Sequence, residues 1–109
     1  MNYQELVDLF EQIQARPGMY FPRDVQFWML AGYIYGMEAA GVNELKGFQD
    51  WVAREFLGVP RSSVCWDAII SHSVTQEWTR LTLTDEETQE AFDRALSSLI
   101  AYCRSRVES

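Results

Sequence analysis

Apolar residues recur at helical spacing along almost the whole of this 109-residue chain, and that period limits the possible folds more than any other feature. Leu6, Leu9, Phe10 and Ile13 fall at i, i+3, i+4 and i+7, which places them on one face of an α-helix. Phe92, Ala95, Leu96, Leu99, Ile100 and Cys103 repeat the same spacing near the other end.

Punctuation divides this pattern into five segments. Pro17-Gly18 ends a first helix over 3–15, because neither residue continues a helix well. Met19 to Pro22 then reads as an extended connector. Asp24 is placed to cap a second helix over 25–40. Its apolar residues (among them Phe27, Trp28, Leu30, Tyr33 and Ile34) cover nearly every side, so this helix is expected to be central and buried. Gly32 and Gly36, four apart, offer a close approach to another helix, and Gly41 is its expected stop. Asn43 is placed to cap a third helix carrying Leu45, Phe48, Val52 and Phe56, ended by Gly58 and Pro60. Ser62 or Ser63 opens a shorter fourth helix with Val64, Trp66, Ile69 and Ile70. Residues 75–83 suit either a continuation of that helix or a short extended segment, since threonines favour extended backbone. Thr84-Asp85-Glu86-Glu87 is a capping box, with three carboxylates in the turn where the helix dipole is positive. The expected fold is all-α: a compact, single-domain bundle of about five helices over residues 1–109.

Charge narrows the functions. Sixteen acidic residues face nine basic ones, for a net charge of −7, and Lys46 is the one lysine. Such a chain repels phosphate backbones and anionic bilayers, so nucleic acid and membrane are not expected partners. Met1-Asn2-Tyr3-Gln4-Glu5 lacks the basic start and apolar run of a secretory signal. The most apolar stretch, 25–42, is broken by Gln26, Glu38 and three glycines. Cys65 and Cys103 read as reduced, buried thiols. These features together lead to the expectation of a cytoplasmic protein.

Chemistry finds little support. His72 is the one histidine, so any Ser–His or Cys–His mechanism must pass through it. Cys65 lies two helical turns away, about 10 Å along the axis, beyond hydrogen-bond reach. The sequence has no CxxC, HExxH, DxDxDG, GxGxxG or GxxxxGK[ST] string, so no cofactor, metal ligand or catalytic residue is assigned. Asp85, Glu86, Glu87 and Glu90 are the densest carboxylates, and their place at a helix start already accounts for most of them.

Arg16-Pro17-Gly18-Met19-Tyr20 follows the first helix. A similar string in gyrase-type ATPases is followed by glycine within a mixed α/β domain; here Phe21-Pro22 follows and the nucleotide motifs are missing. The order of RPGMY, the Gly32-Tyr33 step, Phe48-Gln49-Asp50-Trp51-Val52 and Trp66-Asp67-Ala68-Ile69-Ile70 instead resembles small, acidic, helical bacterial immunity proteins of polymorphic or contact-dependent toxin systems. The resemblance implies a cognate toxin domain as partner. Charge suggests how such a partner would be met. Residues 77–93 hold six acids against Arg80, and an acidic face steers a basic partner such as a nuclease domain. The candidate partner-binding residues are Asp67, Glu77, Asp85, Glu86, Glu90 and Asp93. Two other readings stay open. One is a small helical enzyme or metal-dependent hydrolase using surface carboxylates; the other is an adaptor that self-associates through the glycine face of the second helix. The binding reading is compatible with a monomer or a weak dimer.

Overall fold

Helix α1, Tyr3–Ala15, begins at Asn2, whose side chain accepts from the Glu5 amide while the Glu5 carboxylate accepts from the Asn2 amide. This computed structural model describes residues 1–22, 25–80 and 82–108. Among them are five α-helices and no strand, as the hydrophobic period predicts. The remaining helices are α2, Gln26–Ala39; α3, Phe48–Val52; α4, Trp66–Thr75; and α5, Asp85–Val107.

Local chemistry explains several boundaries. At the start of α5 the Thr84 hydroxyl accepts from the Glu87 amide at 3.2 Å, and the Glu87 carboxylate accepts from the Thr84 amide at 2.9 Å. The expected capping box is present. At the end of α2, Gly41 donates to the Glu38 carbonyl and Val42 to the Met37 carbonyl. This paired closure needs a left-handed residue, which Gly41 supplies at φ 101°.

Other boundaries depart from the expected ones. Pro17-Gly18 ends α1 as expected but opens a 3₁₀ turn, Pro17–Met19, with proline supplying the fixed φ of its first position, so the connector expected to be extended from Met19 to Pro22 starts in that turn. The third helix is three pieces: a 3₁₀ turn Asn43–Gly47, α3, and a π turn Ala53–Leu57. Asn43 makes no capping bond. The fourth helix starts at Trp66, not at Ser62 or Ser63, so Val64 precedes it. Gln49 supplies what a cap would: its side chain accepts from the Trp66 amide and donates to the Val64 carbonyl, both at 2.7 Å. Past Thr75, Gln76 adopts φ 63°, so the helix stops, and the described residues after it form turns and irregular chain rather than a strand. Asp24, the expected cap of α2, and Leu81 lie outside the described residues.

The larger correction concerns the centre of the molecule. Helix α5 packs against α1, α2, α3 and α4, and its closest partner is α1. It buries Phe92, Ala95, Leu96, Leu99, Tyr102 and Cys103. Helix α2 is peripheral instead. It buries Phe27, Leu30, Ala31 and Ile34, which fall at i, i+3, i+4 and i+7. A second apolar stripe with the same spacing, Met29, Gly32, Tyr33 and Gly36, faces outward and is exposed. The two stripes together made the helix read as apolar all round, but only one is covered.

Candidate partner-binding surfaces

The six acids chosen from the sequence do not form one patch. Asp67 sits in the first turn of α4, and Glu77 lies past its other end, after the left-handed Gln76 that stops the helix. The Asp67 carboxylate accepts a 2.6 Å hydrogen bond from the Tyr35 hydroxyl. Burial, reinforced by this carboxylate, holds the phenol far above its usual range. Asp67 therefore ties α4 to α2.

The other five acids gather where the end of α4 meets the start of α5. Arg80 pairs with both Glu77 and Glu87. Arg94 pairs with Glu90 at 2.8 Å and donates to the carbonyl and hydroxyl of Ser73 at 2.9 Å each, stapling α5 to α4. Two arginines thus offset much of the negative charge that the sequence concentrates here. Asp85 and Glu86 are exposed and have no hydrogen-bond or ion-pair partner among the described residues. Asp93 is exposed and accepts only the neutral Gln89 amide, at 2.9 Å. The usable acidic edge is therefore Asp85, Glu86 and Asp93, held on the helix that anchors the fold. Glu87, beside them, is occupied by the cap. The Thr84 amide, more than Arg80, holds its carboxyl below the usual range.

The residues with latent chemistry are dispersed. The His72 ring stacks on Trp78, with centroids 3.8 Å apart and planes 8° from parallel. Cys65 is exposed, contrary to the expectation of two buried thiols, and precedes an unbroken α4, so two helical turns separate it from His72. Cys103 is buried as expected, and burial pushes its thiol up to about 12. Among the described residues no three His, Cys, Asp or Glu side chains come together to hold a metal ion. No helix among them is long and apolar enough to cross a membrane.

The glycine face of α2, which the sequence marks for close approach to another helix, lies open, and the large side chains beside it, expected to be buried, are exposed. Trp28 is 39% exposed, Met29 42%, Tyr33 40% and Tyr35 38%. They flank Gly32 and Gly36, where an added Cβ would meet nothing within 4 Å. Among the described residues, no other helix packs onto these glycines. The RPGMY corner extends this apolar character: Phe21 is buried, packing edge-on to Tyr33 at 5.9 Å and Phe92 at 6.1 Å, while Met19 is 73% exposed. Phe21 thus pins the connector to the core; Met19 and Tyr20 line an open groove of about 260 Å³ with Gln12, Ala15 and Arg16, and the Tyr20 hydroxyl donates to the Gln12 side chain at 3.4 Å. The signal against burial on every side was the doubled stripe. When two opposite faces of a helix are both apolar, one of five short helices cannot cover both. Of the tryptophans in the recognised segments, Trp66 is buried and Trp51 half-buried, so both belong mainly to the core.

No protein-family model, curated protein or solved structure matches this chain.

Proposed function

We propose that this chain is a stoichiometric binding protein of the immunity type, which neutralises a cognate bacterial toxin domain by occupying its basic surface. The observation that carries the reading is the edge formed by Asp85, Glu86 and Asp93: three exposed carboxylates, none facing a cation among the described residues. They stand on the first turns of a 23-residue helix packed on four others. Charges fixed on a rigid element act on a partner without first being ordered, so they raise the encounter rate at little entropic cost. The order of sequence segments supports the toxin as the class of partner. Its compartment, on this reading, is the bacterial cytoplasm. Neither a cofactor nor a metal is required, because the protein blocks rather than transforms.

The test measures association with the toxin domain encoded by the adjacent upstream reading frame. Reversing two carboxylates, Glu86→Lys with Asp93→Lys, should slow association by about tenfold or more and flatten its dependence on salt. Circular dichroism should remain helical. An unchanged association rate overturns the acidic edge as the steering surface. The enzyme reading separates from this one by His72→Ala and by added chelator: a binding protein keeps its neutralising capacity through both, whereas a hydrolase built on His72 or a metal loses it.

A further inference from the structure

We propose that the outward face of α2 is the interface of a weak homodimer, in which α2 of one copy crosses α2 of a second copy at Gly32 and Gly36. This concerns a different face from the acidic edge and does not rest on the proposed function.

Three observations carry it. The first is shape. Gly32 and Gly36 form a furrow open to solvent, between Tyr35 on one side and Met29 and Tyr33 on the other, with Trp28 at its N-terminal end. The furrow runs along the i±4 row. Two such rows packed together cross at about −50°, and a two-fold axis through the crossing makes the same patch serve both copies.

The second is charge. From Gln26 to Ala39 the helix has one charged residue, Glu38, and it is half-buried. A molecule with a net charge of −7 repels its own copy over most of its surface, but among the described residues the carboxylates nearest this face are Glu38, half-buried, and Asp67, at its rim and held by the Tyr35 hydroxyl. Among the described residues no carboxylate stands on the furrow itself for a basic partner to pair with, whereas an identical apolar face fits it.

The third is area. A fully buried aromatic side chain covers roughly 150–250 Å². The four flanking side chains, each about two-fifths exposed, therefore offer roughly 300 Å² per copy. Val25, at the foot of the helix, and the glycine backbones bring the total for both copies to about 800–1,000 Å², near the lower limit for a specific interface. A contact of this size is that of a weak, concentration-dependent dimer rather than an obligate one.

Light scattering and sedimentation of the whole chain from about 1 µM to about 100 µM test this. The expected result is a rise in mass from monomer toward dimer, strengthened by added salt because screening reduces the repulsion elsewhere. Gly36→Leu fills the furrow from a position with open space around it, and Met29→Glu places a charge on the ridge. Either should hold the protein monomeric with its helical circular dichroism unchanged. Glu86→Lys, on the acidic edge, should leave the dimer intact. A chain that stays monomeric across the range overturns the proposal, and so does a dimer that both α2 variants leave intact. A monomer whose Gly36→Leu variant loses toxin binding assigns the face to the toxin and equally overturns it.

Discussion

Tyr102 shows how a polar group can be built into this core. Its side chain is buried in α5 among Tyr3, Phe48 and Trp51, with ring centroids at 6.2, 5.6 and 6.3 Å. Its hydroxyl donates to the Glu44 carbonyl at 2.7 Å, satisfying an acceptor in the 3₁₀ turn before α3. Tyr102→Phe keeps the rings and leaves that carbonyl without its donor, so it should cost about 0.5–1.5 kcal/mol in urea unfolding. Burial, assisted by Tyr3, pushes the phenol up to about 12. A raised acid favours its neutral form in the folded state. The stabilisation is complete below the ordinary phenol value near about 10 and disappears as pH rises through about 12. Glu38 follows the same sign lower on the scale. Burial raises its carboxyl, and the Lys46 charge offsets part of the rise. Its contribution to stability is full below the ordinary carboxylate value of about 4.3 and falls away as pH climbs through the raised one. Glu38→Gln should therefore raise the melting temperature at neutral pH and leave it nearly unchanged near about pH 3.5. A melting temperature that the substitution lowers at neutral pH would contradict this.

At the scale of elements, the glycines divide by what surrounds them. Gly32 and Gly36 sit mid-helix with open space beyond, so Gly32→Ala and Gly36→Ala should each stabilise the dilute monomer by up to about 1 kcal/mol through helix propensity. At Gly47 a Cβ would stand 2.6 Å from the Tyr102 hydroxyl oxygen. Gly47→Ala must push that ring or the turn aside, and should destabilise by about 1–3 kcal/mol. Chemical unfolding of the three variants would reveal the opposite signs. Boundaries were legible in the sequence wherever neighbouring residues set them, as at Thr84 and Glu87, at Pro17 and at Gly41. Asn2 and Glu5 have the same three-residue spacing as Thr84 and Glu87, and form a second capping box that the sequence reading passed over. The pieces of 43–57 were not legible, because Leu45, Phe48, Val52 and Ala53 are all buried and the turns between them follow packing rather than propensity. The start of α4 was hidden for the same reason: its amide is met by Gln49, 17 positions earlier. Replacing Gln49 by alanine removes both bonds to that segment and should cost about 1–3 kcal/mol.

Across the whole molecule, two surfaces of opposite character remain: an acidic edge at the start of α5 and an uncharged aromatic face on α2. The acidic region could be read from composition, because six acids within 77–93 are visible in the sequence. Their effective charge could not. Arg94 lies just past that segment and returns to Glu90, while Arg80 is shared by Glu77 and Glu87, and such pairings appear only in three dimensions. The α2 face was misplaced for a topological reason. Periodicity identifies apolar stripes but not which of them the rest of the chain covers, and the 23-residue α5 takes the central position. The proposed function makes the molecule an inhibitor that acts by occupancy. The direct measurement is residual activity of the product of the adjacent reading frame, which that proposal expects to be the toxin, titrated with increasing amounts of this protein. The account predicts a linear fall that ends at one binding-competent copy per toxin. Complete loss of activity at a small fraction of that ratio would mean turnover, and full activity at any ratio would mean no inhibition; either result contradicts it.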